Sequence, residues 1–227
     1  MNICSCEIKQ VTPFNHTIYQ VILRPNEPVN FQAGQYVTLH LGGGQQRHFS
    51  IASAPNSDTI ELHIGAHQID SYTQDTLDYL KNNTHVTAEI AHGQAHLRIH
   101  SQRPRLIIVG GTGFGYAKSL IETSIALQQT VPTQLFWGCR QPDHMYQEQL
   151  ARSWQNLLWL EFVAVLEDKP SHFNGEQGQL LDIVTQRLKD ISACDVYVTG
   201  RYEMAQLART QLQTIGLNED HLFGDAY

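Results

Sequence analysis

The chain has 227 residues, enough for one large domain or two small ones. Hydrophobic residues make up 41% and charged residues 16%, which excludes a disordered composition. The net charge is -7 with no basic run, which excludes nucleic acid as a bulk electrostatic partner.

From residue 1 to about residue 100, short strands and turns follow one another. Residues 3–11 alternate in polarity, 17–23 are rich in β-branched and aromatic side chains, and 35–41 form the next strand. The run Gly42-Gly43-Gly44 then reads as a hairpin turn. Strands at 48–52, 59–65, 85–90 and 95–99 follow, with one helix at 71–81. Six or seven short strands at regular spacing predict a small antiparallel barrel. Eight of the twelve histidines fall between His40 and His100. His92, His96 and His100 are spaced four apart, but on a strand each such interval spans ~13 Å. That is too wide for one ion, so no metal site is expected.

The second half alternates strand and helix. Strands are predicted at 105–109, 133–137, 158–166 and 195–199, and helices at 116–128, 145–157, 179–188 and 202–215. In the first helix Ala117, Ile121 and Ile125 recur at helical spacing. Strand–helix alternation implies a parallel sheet with crossovers, a Rossmann-like α/β domain. The boundary falls near Ser101-Gln102-Arg103-Pro104, giving domains at 1–101 and 102–227. No apolar run reaches the ~20 residues of a membrane helix, and no secretory signal is visible, so no membrane partner is expected. Cys4, Cys6, Cys139 and Cys194 form neither a C-x-x-C pair nor an iron–sulfur spacing. They read as reduced thiols of a cytoplasmic protein.

The strand at 105–109 runs into Gly110-Gly111-Thr112-Gly113-Phe114-Gly115 and then a helix. Glycines there let backbone approach a phosphate, and a helix N-terminus offers free N–H groups and a positive dipole end. Two readings stand at this point, a pyrophosphate cradle and a tight strand–helix turn. The spacing departs from G-x-G-x-x-G, because Tyr116 replaces the third glycine. Gly138-Cys139-Arg140 closes the next strand where an acidic residue is usual.

One ordered set of motifs spans nearly the whole chain. Arg47-His48-Phe49-Ser50 is followed by Glu61-Leu62-His63-Ile64-Gly65, a helix, the glycine loop, Trp137-Gly138-Cys139-Arg140, Thr199-Gly200-Arg201-Tyr202-Glu203-Met204, and a closing Phe223-Gly224-Asp225-Ala226-Tyr227. In this order the chain resembles the ferredoxin–NADP reductase superfamily. Within it the chain most resembles the bacterial NAD(P)H–flavin reductases. The resemblance implies a Greek-key β-barrel for flavin followed by a Rossmann-like domain for NADH or NADPH. It also implies hydride transfer from nicotinamide C4 to N5 of a riboflavin, FMN or FAD that is then released reduced, to a flavin-consuming enzyme, by a monomer. The alternative is a reductase that keeps FAD and passes electrons to a protein partner in an oxygenase or dehydratase system.

The same resemblance assigns roles. Ser50 and Asp225 are the catalytic candidates, Ser50 near flavin N5 and Asp225 facing the nicotinamide. Arg47, Phe49, Ser50, His63, Ile64, Gly65, Ser71 and Tyr72 would line the flavin. Gly110, Gly111, Thr112, Gly113, Phe114, Trp137, Gly138, Arg140, Gly200, Arg201 and Met204 would line the nucleotide. Thr199 stands where relatives carry a cysteine, so thiol assistance is not expected. Tyr227 ends the chain and is given no role.

Overall fold

The structure is a computed structural model and describes residues 2–65 and 71–224. It divides into two compact units. The first comprises residues up to 97 together with 115–127, and the second 98–114 together with 128 onward.

The first unit holds strands β1 (Asn2–Pro13), β2 (Ile18–Pro25), β3 (Tyr36–His40), β4 (Gln46–Ser50), β5 (Ile60–Gly65) and β6 (His85–His92), with helix α1 (Ser71–Asn82) between β5 and β6. They form an antiparallel sheet in the order β4-β3-β6-β1-β2-β5. A bridge between Ile51 and Leu62 joins its two edges and closes it into a barrel. Alternation of side chains puts Val21, Leu23, Val37, Leu39, Leu62 and Ile64 inside, each fully buried. Gly42, Gly43 and Gly44 all take positive φ, 85°, 58° and 78°, a run that L side chains resist. They turn β3 back onto β4 at the predicted place. Cys4 and Cys6 share one face of β1, as their spacing requires, with sulfurs 3.8 Å apart in the core.

Two elements of the barrel differ from expectation. Residues 95–99 are not a strand. Positive φ at Ala91 (76°) and Gly93 (92°) ends β6 and turns the chain. Ala95 and Leu97 are still buried, but their backbone is held by single bonds, from Leu97 N to Ala33 O and from the Tyr116 hydroxyl to Ala95 O. Helix α2 (Phe114–Ala126) belongs to this first unit from Gly115 onward and is buried on more than its apolar stripe. Ser119 and Thr123 are buried too, satisfied by bonds to Ser53 O and Ser119 O.

The second unit holds β7 (Arg105–Gly110), β8 (Thr133–Cys139), β9 (Leu160–Leu166), β10 (Glu176–Gln177), β11 (Asp195–Thr199) and β12 (Leu222–Phe223) in the order β10-β9-β8-β7-β11-β12. Every pairing is parallel. Helices α4 (Leu180–Arg187) and α5 (Tyr202–Gln213) cover one face, with Leu106, Ile108, Val196 and Val198 beneath them. The helix expected at 145–157 is reduced to α3 (Glu148–Ser153), flanked by 3-10 turns at 142–144 and 154–156. The second turn brings buried Trp154 to 5.6 Å from the Phe114 ring. The chain winds outward from β7 through β8 to β9, then returns to the other side of β7 as β11. That reversal makes the β7/β11 crevice a topological switch point, the place where such sheets bind ligands.

Candidate active site

The glycine loop lies at the carboxyl end of β7, on the switch point. Residues 111–113 form one 3-10 turn that feeds α2. Gly111 has φ +53° and open space where a Cβ would stand, so backbone is bare toward a ligand. Gly113 is required for a different reason. A Cβ there would stand 2.9 Å from Thr199 Cγ2 and 3.0 Å from Thr199 O. Thr112 is half-buried. Across the crevice Gly200 and Met204 face Gly110, whose Cβ would meet Met204 Sδ at 3.0 Å. Arg201 is exposed and, among the described residues, has no ion-pair or hydrogen-bond partner for its side chain.

Phe114 and Trp137 are fully buried and stack at 4.0 Å, and Trp137 Nε1 donates to Gly111 O at 2.9 Å. Their side chains therefore brace the loop from beneath. Gly138 packs under Leu180, where a Cβ would come within 2.8 Å. Cys139 is buried, and burial pushes its thiol up to about 12 despite a backbone hydrogen bond from Gly111, so it stays a neutral thiol. Arg140 is exposed and pairs with Asp168, Nε to Oδ2, at 3.3 Å.

In the first unit, β4 and the start of α1 bring Arg47, Phe49 and Tyr72 together. The Arg47 guanidinium lies 4.3 Å from the Tyr72 ring centroid, and Nε donates to Tyr72 O at 3.2 Å. Its other bonds go to Gln46 O and Gln45 Oε1. All these acceptors are neutral, and no carboxylate pairs with Arg47 among the described residues. The Tyr72 hydroxyl accepts from His48 N at 2.8 Å, and Phe49 lies 6.3 Å from the Tyr72 ring. Ser50, next on β4, is half-buried, and its hydroxyl has no hydrogen-bond partner among the described residues. Ser71 opens α1 and is exposed, while Ile64 points into the barrel core. Gly65 ends β5 opposite Ile18. Asp225 and Tyr227 lie outside the described residues.

His63 sits differently from the rest. Its ring is buried, 5.0 Å edge-on to Phe14, with Nε2 2.9 Å from Glu61 Oε1. Lys118 of α2 reaches Glu61 Oε2 and Glu122 Oε2, both at 2.9 Å. Burial lowers the His63 imidazole below the ordinary histidine range, against the pull of the Glu61 hydrogen bond. Burial would raise the Glu61 carboxyl, but the His63 hydrogen bond and the Lys118 charge outweigh it and hold it at about 2. Burial likewise opposes the Lys118 charge, and the two carboxylates overcome it and raise its pKa. The network ties α2 to β5, and it leaves the His63 ring engaged away from solvent. Lys118 lies 57 residues from Glu61 in the chain, and no linear spacing signals the pair.

Residues 107–210 match a family model described as the oxidoreductase NAD-binding domain. The crystal structure of a ferredoxin NADP+ reductase from Neisseria gonorrhoeae with bound FAD and NADP has a TM-score of 0.83, covering 100% of both chains, at 16% identity. That is a likeness of fold. The barrel, the parallel sheet and the loop at its switch point thus have the fold of a ferredoxin-reductase-type protein. The NAD(P)H-flavin reductase of Vibrio harveyi is 35% identical over 230 residues, 98% of this chain and 97% of that one. That of Aliivibrio fischeri is 35% identical over 231 residues, 98% of each chain. The chain belongs to the NAD(P)H-flavin reductase family.

Proposed function

We propose that this chain oxidises NADH or NADPH and reduces a flavin that binds weakly and leaves. The observation that carries the reading is the Arg47–Phe49–Tyr72 cluster next to Ser50, whose hydroxyl has no hydrogen-bond partner among the described residues. It stands in a chain that aligns end to end with flavin reductases and carries the bare glycine loop on its second unit. The residues fit both groups. Gly111 presents open backbone at a helix N-terminus, which suits a pyrophosphate. Arg201, an exposed cation at the start of α5, has no ion-pair partner among the described residues, and Met204 and Gly200 pack close against Gly110.

The nicotinamide supplies a hydride and the flavin accepts it; the redox chemistry belongs to these two groups. The chain binds and orients. Ser50 holds its hydroxyl for the flavin ring, as donor or as relay for one proton. Arg47, charged and held by neutral acceptors, meets the ribityl chain or a phosphate, which favours FMN and FAD over riboflavin. Asp225 orients the carboxamide of the nicotinamide. The buried Cys139 thiol takes no part. The free cysteines among the described residues fit a reducing compartment, and the reading places the protein in the cytoplasm.

A desalted preparation tests it. Protein that is colourless after gel filtration and oxidises NADH or NADPH only when flavin is added supports the reading. Yellow protein that keeps FAD and gains nothing from free flavin overturns it in favour of electron delivery to a protein partner.

A further inference from the structure

A second feature lies at the carboxyl edge of the same parallel sheet. A cavity of about 490 Å³ opens beyond β8 and β9, lined by Gln141, Asp143, Glu167, Asp168, Lys169 and Gln177 among others. Its floor is ordered backbone. The ladder continues past the ends of both strands, with Glu167 N donating to Cys139 O at 3.1 Å and Asp168 N to Arg140 O at 2.8 Å. Gly178 N closes the far side on Leu166 O at 3.0 Å.

The position is suited to one part of a dinucleotide. β9 is two strands from β7, which at sheet spacing is roughly 10 Å from the glycine loop. A nucleotide with its pyrophosphate on that loop lays its adenosine ribose toward this cavity, on the edge where open α/β sheets take ligands. NADH and NADPH differ only there, by a hydroxyl or a phosphate on the ribose 2′ carbon.

The wall distinguishes the two. Three carboxylates, Asp143, Glu167 and Asp168, line it with one cation, Lys169, and Arg140 stands next to the lining, paired with Asp168. Arg140 is the residue suited to grip a 2′-phosphate, but its Nε lies 3.3 Å from Asp168 Oδ2 and its charge is answered locally. A carboxylate only accepts hydrogen bonds, so it matches a 2′-hydroxyl, which can donate. A 2′-phosphate brings nearly two negative charges at neutral pH and offers no donor in exchange. We propose that this chain is selective for NADH and that Glu167 and Asp168 set the selection. The inference rests on the nucleotide-binding reading above and refines it.

The test is the steady-state oxidation of NADH and NADPH by the full chain with excess FMN. The expected kcat/KM ratio favours NADH by at least about tenfold at low salt, and it shrinks as salt screens the exposed charges. In Glu167→Gln/Asp168→Asn two carboxylates are gone and Arg140 is released. NADPH kcat/KM then rises at least about tenfold, mainly through KM, and the ratio moves toward parity. Equal use of both nucleotides by the unmodified protein overturns the inference. So does an unmoved ratio in the double variant, or in Asp168→Asn alone if the double variant does not fold. If neither nucleotide is oxidised with any flavin, the flavin-reductase reading itself falls, and the selection with it.

Discussion

Replacing Glu61 by Gln tests the buried network that ties α2 to β5. The side chain keeps its shape and can still accept from His63 and Gln20, but the charge that faces Lys118 is lost. The carboxyl is held at about 2 in the folded protein, against 4.5 as the ordinary value. A depression of that size is worth about 3 kcal/mol at neutral pH. Because the folded value is depressed, this stability is fully present above the ordinary value of 4.5 and is lost as pH falls toward about 2. Part of it, about 1 kcal/mol, remains at pH ~3. Urea unfolding of both proteins at neutral pH and near pH 3 is the assay. Glu61→Gln is expected to be less stable by about 3 kcal/mol at neutral pH, and the gap is expected to narrow by about 2 kcal/mol in acid. Parallel losses at the two pH values would refute the electrostatic account and leave only packing.

Three further outcomes follow from the site. Ser50→Ala is expected to lower kcat by at least about tenfold while the KM for nucleotide stays within about twofold; unchanged turnover removes Ser50 from the chemistry. Gly113→Ala drives a methyl group into Thr199, including its carbonyl oxygen, which does not yield easily. Thermal melts are expected to show about 1–3 kcal/mol of destabilisation, with a raised KM for nucleotide; a wild-type melting curve contradicts the close approach. Asp225→Ala is expected to raise the KM for the nicotinamide nucleotide and lower kcat, and unaltered kinetics would make Asp225 a tail residue.

Much of the fold was legible because periodicity and punctuation agreed. Strand β11 matches its sequence limits, 195–199, since a short β-branched run ends at Gly200. The glycine triplet announced its hairpin by composition alone. Residues 95–99 misled because Ala95 and Leu97 are buried at strand spacing, while the backbone pairs through single bonds rather than a ladder. Helix α2 showed only its Ala117–Ile121–Ile125 stripe, and Ile125 is in fact exposed. Its buried polar face depends on Glu61 and Ser53, partners far away in sequence. At the site, the glycine loop and the Arg47–Ser50 strand could be read directly. The bracing roles of Phe114 and Trp137 could not, because stacking is a three-dimensional fact. The acidic wall had a local signal, the run Glu167-Asp168-Lys169-Pro170 after a buried strand. Its meaning emerges only when that strand is placed two steps from the glycine loop.

The central claim is that reduced flavin is a released product. The most direct measurement is anaerobic: mix the protein with a large excess of FMN and NADH, then separate protein from solution by ultrafiltration. The account predicts reduced FMN in the filtrate, equal to the NADH consumed and many times the protein present. Reducing equivalents that stay with the protein at one per chain, with no reduced flavin in the filtrate, would contradict it.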